Sequence, residues 1–362
     1  MNTTPQSNRL HVGIFGDTNA GKSSLFNALT NTDIAIVSDT PGTTTDSVQK
    51  SMELLPFGPI VLIDTAGLND TSELGRQRVD KALKILKRVD FAIYVGESGY
   101  DEFTKKASCP HMQVISFDIK QIKETLAKRL SEIQKDSDSL LAGLLKPGST
   151  VLMVAPIDSE APKNRLILPQ AQLIRDCLDN GFFAIVVTEK EVEEAIKKFK
   201  DIDLVVTDSQ VFGLVSQIVP TEIKLTSFSI LMARQKGDIE SLLEGLKAIP
   251  KLKDNDKILM AEVCTHTNTH EDIGRVKIPA ALQKMTGKKL DFEFVTGRDF
   301  PDDLSEYAMI IHCGACMITA REMQNRIESA LDAGIPITNY GLFLAQANGI
   351  LSRSIEILGG TK

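Results

Sequence analysis

Residues 16–23 read "GDTNAGKS", and the fold of the first third of the chain turns on them. They satisfy Gly-x4-Gly-Lys-[Ser/Thr] at every required position, after the apolar run "LHVGIFG" (10–16) and at the start of the helical pattern "SSLFNALT" (23–30). Strand, glycine-rich loop and helix in that order are what a phosphate-binding loop requires. Gly16 and Gly21 allow turns that aim backbone amides at phosphate oxygens, and the helix start adds partial positive charge. Asp17, Thr18, Asn19, Ala20 and Ser24 complete the cradle, Lys22 reaches the β and γ phosphates, and Ser23 ligates Mg²⁺. A chance glycine-rich turn is the competing reading, and the flanking strand and helix weigh against it.

Downstream, "IDTAG" (63–67) puts Asp64 at a strand end with Gly67 three positions on. A carboxylate there holds the Mg²⁺ shell through water, and the glycine amide senses the γ phosphate. Between loop and carboxylate, "PGTTTD" (41–46) supplies Thr44 as a second hydroxyl ligand for Mg²⁺. Each tripeptide alone is weak; the three in this order and spacing are strong.

The same alternation of short apolar runs and helical patterns continues along the chain, which implies α/β architecture with mainly parallel sheets. Polar stretches at "IQKDSDS" (133–139) and "KPGST" (146–150), then "LKAIPKLKDNDK" (246–257), interrupt it. The expected domains are 1–145, a truncated P-loop GTPase fold, and two smaller α/β domains at 146–250 and 251–362. With 42% apolar and 25% charged residues, disordered and fibrous classes are excluded. A net charge of -7 argues against a nonspecific nucleic-acid binder. The polar start "MNTTPQSNRL" and the shortness of runs such as "FFAIVV" predict a cytoplasmic chain without a membrane span.

Five cysteines, an odd number and widely spread, do not make the framework of a small secreted domain. Two groups stand out in the third block, Cys264-x-His266 and His312-Cys313-x-x-Cys316, each after a predicted strand, "ILMAEV" and "YAMIIH". Open α/β sheets bind ligands at such strand ends. A helix predicted over 319–334 places Cys316 near a dipole end that favours thiolate. Three thiolates would hold a 4Fe-4S cluster with one iron left open, His266 and His312 being candidates for that position or for donors behind it. Spacing alone supports tetrahedral zinc equally well, and buried thiols without metal are the bland alternative. Cys109 and Cys177 have no partner by spacing. A radical-type C-x3-C-x2-C run is missing.

"GDTNAGKSSLFNAL", "GTTTD" and "DTAG" resemble the translation-factor-like GTPases that include tRNA-modification and ribosome-assembly members. That resemblance implies potassium-stimulated hydrolysis with Asn19 as a K⁺ ligand, although asparagine also suits such turns for its backbone alone. The Asn-Lys-x-Asp tetrapeptide by which these GTPases read guanine is missing. Only "GESGYDEFTKKASCPH" separates "FAIYV" from "MQVISFD", and the helix after it looks like the last of a GTPase domain. A deleted strand and helix would account for this, and selectivity for GTP over ATP is left open.

With "APIDSEAPKNRLILPQAQLIRD" in the middle and "EDIGRVKIP", "GRDFPD" and "ITNYG" around the cysteines, the whole chain resembles the FeFe-hydrogenase maturation GTPases, the HydF family. The resemblance implies a GTPase domain binding GTP or GDP, a dimerisation domain and an iron-sulfur domain with Cys264, Cys313 and Cys316 on the cluster. It further implies a homodimer that transiently carries a diiron subcluster precursor, made with radical-SAM maturases, to apo-hydrogenase. The rival is a zinc-stabilised regulatory GTPase in ribosome or tRNA processes.

Overall fold

The computed structural model describes residues 5–30, 47–70, 73–134, 139–157, 164, 166–263, 273–297 and 299–359. Its first compact unit, Met1–Asp138 together with Ile318–Asn325, is built on a five-stranded sheet. The strands are β1 (Leu10–Gly16), β2 (Val48–Leu54), β3 (Gly58–Asp64), β4 (Phe91–Val95) and β5 (His111–Val114), in spatial order β2-β3-β1-β4-β5. Only the β2–β3 pair is antiparallel. β1 and β4 are buried almost throughout, as expected of parallel strands covered on both faces.

Helices α1 (Lys22–Thr30), α2 (Glu73–Leu86), α3 (Tyr100–Lys106) and α4 (Ile119–Gln134) connect the strands. One core joins Leu25, Phe26 and Leu29 of α1 to Leu126 and Leu130 of α4 over one face of the sheet. A second gathers Phe15, Tyr94 and Phe103 on the other. Because β1 is central, the loop at its C-terminal end emerges beside the ends of β3 and β4. From β4 the chain makes α3, β5 and α4, so among the described residues a single helix separates the last two strands.

The second unit begins at Ser139 and holds two four-stranded parallel sheets. The first comprises β6 (Thr150–Val154), β7 (Phe183–Val187), β8 (Leu204–Thr207) and β9 (Lys224–Ser227), ordered β7-β6-β8-β9. The helices α5 (Leu168–Asp179), α6 (Val192–Lys198), α7 (Phe212–Ile218) and α8 (Phe228–Lys236) go with it, and α9 (Ile239–Leu246) leads on to the second sheet. The second comprises β10 (Lys257–Glu262), β11 (Asp291–Thr296), β12 (Met309–His312) and β13 (Ile337–Asn339), ordered β11-β10-β12-β13. The helices of this stretch of chain are α10 (Ile278–Thr286), α11 (Ala320–Asp332), α12 (Tyr340–Ala347) and α13 (Leu351–Ile355).

Both sheets have the same winding: the first strand has the second on one side and the third on the other. Each therefore has a switch point between its first and third strands, where crossovers diverge and leave a crevice at the C-terminal ends. The two sheets are joined by close helix contact. Gly341 on α12 lies against Ser229 on α8, where a Cβ would come within 2.7 Å of the Ser229 Cβ. The chain then returns to the first sheet: α13 packs on β9, and Arg353 donates to the Ser216, Val219, Pro220 and Ile223 carbonyls. Among the described residues no helix is long and apolar enough to cross a membrane.

Candidate functional site

The loop from Gly16 to Ser23 depends on backbone that side chains with a Cβ resist. Gly16 has φ 145° and Gly21 φ 92°, and a Cβ on Gly16 would stand 2.3 Å from the Val95 carbonyl oxygen. Asn19 also lies in the left-handed region, at φ 63°, which asparagine tolerates better than most residues. Lys22, buried at the start of α1, folds its ammonium back to donate to the Asp17 carbonyl at 2.7 Å. Burial holds its pKa below the ordinary lysine value, opposed by the charge of Asp64. Asp17 also accepts from the Ser98 hydroxyl at 3.0 Å.

Ser23 Oγ donates to Asp64 Oδ2 at 2.6 Å. The other oxygen of Asp64, Oδ1, is buried without a hydrogen-bond partner among the described residues, and burial raises the carboxyl's pKa above the usual range. A buried, half-satisfied carboxylate beside a hydroxyl suits a hydrated divalent cation, which supplies both the missing partner and the compensating charge. The segment after Asp64 is laced to the loop. Leu68 N donates to Gly16 O at 3.1 Å, and Thr18 N donates to Asn69 Oδ1 at 2.8 Å. Gly67 lies so close that a Cβ would fall 2.3 Å from Thr18 Oγ1. Asn69 belongs to no motif in the sequence; its position two residues after Gly67 is the one signal for it. Thr44 lies outside the described residues.

In the second unit, Cys313 and Cys316 line one cavity of about 220 Å³, which Glu262, Gly274, Tyr340, Asp208 and Phe228 also border. It opens at the C-terminal ends of β8, β10 and β12, at the switch points. Ala315, at φ 54°, turns the Cys-Gly-Ala-Cys stretch back on itself. The Cys313 amide donates to Ala261 O at 2.8 Å, and Val263 N, next to Cys264 in the chain, donates to Cys313 Sγ at 3.3 Å. Burial, helped by neighbouring Cys316, pushes the Cys313 thiol up to about 12, so without metal it is protonated at neutral pH. Cys264 and His266 lie outside the described residues, and among those described no three metal-type side chains converge.

His312 is fully buried and occupied on both sides. Its Nδ1 lies 2.8 Å from Cys313 O, and its Nε2 lies 3.0 Å from Arg326 Nη1. A guanidinium can only donate, so Nε2 accepts and Nδ1 carries the proton. A metal bond from His312 would break one of these contacts, and His312 does not line the cavity. Lys236, Glu262 and Tyr340 carry no signal in the sequence. Lys236, buried on α8, donates to the Ala315 and Cys316 carbonyls at 3.2 and 3.3 Å. Glu262 accepts from Tyr340 OH at 3.2 Å and pairs with Arg275 at 3.3 Å. Cys109 and Cys177 are both buried free thiols.

Sequence comparisons match three consecutive stretches of the chain. Residues 11–141 match the description "50S ribosome-binding GTPase", 140–237 "Hydrogen maturase F dimerization domain" and 240–357 "Hydrogen maturase F tetramerization domain". Curated relatives include the tRNA modification GTPase MnmE of Prochlorococcus marinus, 39% identical over 102 residues, 27% of this chain and 22% of that protein. The MnmE of Aliarcobacter butzleri is 25% identical over 263 residues, 68% of this chain and 49% of that protein. This chain thus spans about half or less of those curated relatives. A crystal structure of Aquifex aeolicus Era bound to GDP.AlF4- aligns over 79% of this chain and 92% of that one, at 16% identity and a TM-score of 0.27, too loose to carry an argument. The two maturase descriptions together take in more than half of the residues, and the GTPase description takes in 11–141: the chain belongs to the hydrogen maturase F family, with a GTPase domain at its front.

Proposed function

We propose that this chain is a nucleotide-timed carrier for hydrogenase maturation, hydrolysing GTP in its first unit and holding a 4Fe-4S cluster in its second. The observation that carries the reading is the pair Cys313 and Cys316 on one cavity at the ends of β10 and β12, with Cys264 directly following Val263. Three thiolates would take three irons. The fourth would lack a cysteine ligand, which would leave a position where a diiron precursor could be received and released. His266 is a further candidate for that position. His312 acts on the centre only by bracing Cys313.

In the first unit, Gly16 to Ser24 bind the phosphates. Lys22 would exchange its contact with the Asp17 carbonyl for the β and γ oxygens, and Ser23, Thr44 and Asp64 would hold Mg²⁺, Asp64 through water. Mg²⁺ supplies charge neutralisation on the transferring phosphoryl group, and K⁺ beside Asn19 would add to it. The Gly67–Thr18 contact ties the segment after Asp64 to the loop, so loss of the γ phosphate would move both and alter a surface for partners. The partners in this reading are the radical-SAM maturases and apo-hydrogenase.

Self-association belongs to the same reading. β7 is an edge strand of wholly apolar sequence with Phe183 66% and Val186 45% exposed, and such an edge is a template for a second copy.

The deciding experiment is anoxic reconstitution with iron and sulfide. About four irons and four sulfides per chain are expected, with loss of the brown colour in Cys313→Ser and hydrolysis retained. A colourless protein holding about one zinc would sink the carrier reading and leave a zinc-stabilised GTPase.

A further inference from the structure

The nucleotide site proposed for the first unit leaves the base without a reader, and any role for a base-binding residue rests on that site taking nucleotides. Phosphates seated on the loop place the α phosphate at the N-terminus of α1. Ribose and base must then lie on the surface flanking Gly21, which directly precedes α1. Among the described residues, Phe117 occupies that flank. A Cβ on Gly21 would stand 2.8 Å from Phe117 Cζ and under 4 Å from two further ring carbons. The phenyl ring therefore lies in contact with the loop's last glycine.

Phe117 follows β5, the strand beside β4, and is 45% exposed; Ile115, two residues earlier, is 57% exposed. Apolar side chains left open beside a phosphate loop gain by being covered, and a purine ring is a flat apolar cover of matching chemistry. The next side chain is a carboxylate, one oxygen of which caps the following helix. Asp118 Oδ1 accepts from Gln121 N at 3.1 Å, capping α4. In the GTPases that the front of the chain resembles, a carboxylate after a strand reads guanine by hydrogen bonds. Here the group set against the loop is an aromatic face.

We infer that Phe117 is the stacking platform for the nucleobase, and that the site binds purine nucleotides with little discrimination between guanine and adenine. Stacking tolerates every base because every base has a π face. Selectivity needs directional donors and acceptors, and a phenyl ring offers none.

The test compares full-length wild type, Phe117→Ala and Phe117→Trp by titration calorimetry with Mg²⁺ and GDP, ADP or inorganic pyrophosphate. Wild type should bind GDP and ADP within about tenfold of each other, and Phe117→Ala should weaken both by about 5- to 150-fold while leaving pyrophosphate unchanged. Phe117→Trp should restore or tighten both. Unchanged GDP and ADP affinities in Phe117→Ala, or a guanine preference beyond about a hundredfold in wild type, would overturn the inference while leaving the phosphate site standing. Failure of wild type to bind any of the three ligands would bring down the nucleotide reading and this inference together.

Discussion

Ser23 and Asp64, 41 residues apart in sequence, share a hydrogen bond of 2.6 Å at the mouth of the phosphate loop, and the second oxygen of Asp64 is left buried without a partner among the described residues. Removing either member should therefore act through Mg²⁺. Asp64→Asn is expected to lower phosphate release by about 10²-fold or more at saturating Mg²⁺ and GTP. The Mg²⁺ dependence of nucleotide affinity should flatten in the same variant. Wild-type turnover in Asp64→Asn would show that the carboxylate has no part in the metal shell.

His312 gives the second unit a pH dependence of calculable sign. Its folded pKa is lowered to about 3 from an ordinary 6.5, first by burial and then by Arg326. The unfolded state thus binds the proton more readily, and stability falls as pH drops below about 6.5. Between pH 7 and pH 5 the metal-free chain should lose roughly 2 kcal/mol from this residue. Urea midpoints over that range should show a shallower slope in His312→Asn. An equal slope in both proteins would mean that other groups set the acid limit.

Gly245 on α9 tests how tightly the helices cover the last sheet. Alanine in a helix interior usually stabilises by about 0.5–1 kcal/mol. Here a Cβ would stand 1.9 Å from the Ile337 carbonyl of β13, and overpacking of that kind costs about 1–3 kcal/mol. The clash should win: Gly245→Ala is expected to lower the thermal midpoint, and a raised midpoint would contradict the packing described.

The β7 edge makes a prediction about assembly. A lysine in place of Val186 puts charge on the exposed edge of a sheet whose core lies elsewhere, so folding should survive. Light scattering should then show a smaller oligomer than wild type at the same micromolar concentration, because a charge on an edge strand opposes pairing with another chain. An unchanged mass would move the self-association surface away from β7.

The phosphate loop was legible in the sequence because its chemistry is local: eight consecutive residues carry the glycines, the lysine and the hydroxyl, and neighbouring periodicity announces the strand and helix that aim them. Parallel sheets were legible for the same reason, since strands buried on both faces, such as "FAIYV" and "VLMV", read as unbroken apolar runs. The lacing of Asn69 to Thr18, the Lys236 ammonium on the Cys313–Cys316 turn and the engagement of His312 by Arg326 were not. Each joins groups whose separation in sequence carries no periodic signal, and only the order of the strands brings them together. Sequence alone thus determined which residues could carry phosphate and metal chemistry. The tertiary structure decided which of them have a free lone pair and an open cavity, because burial and hydrogen bonding are properties of neighbours that the chain supplies from elsewhere.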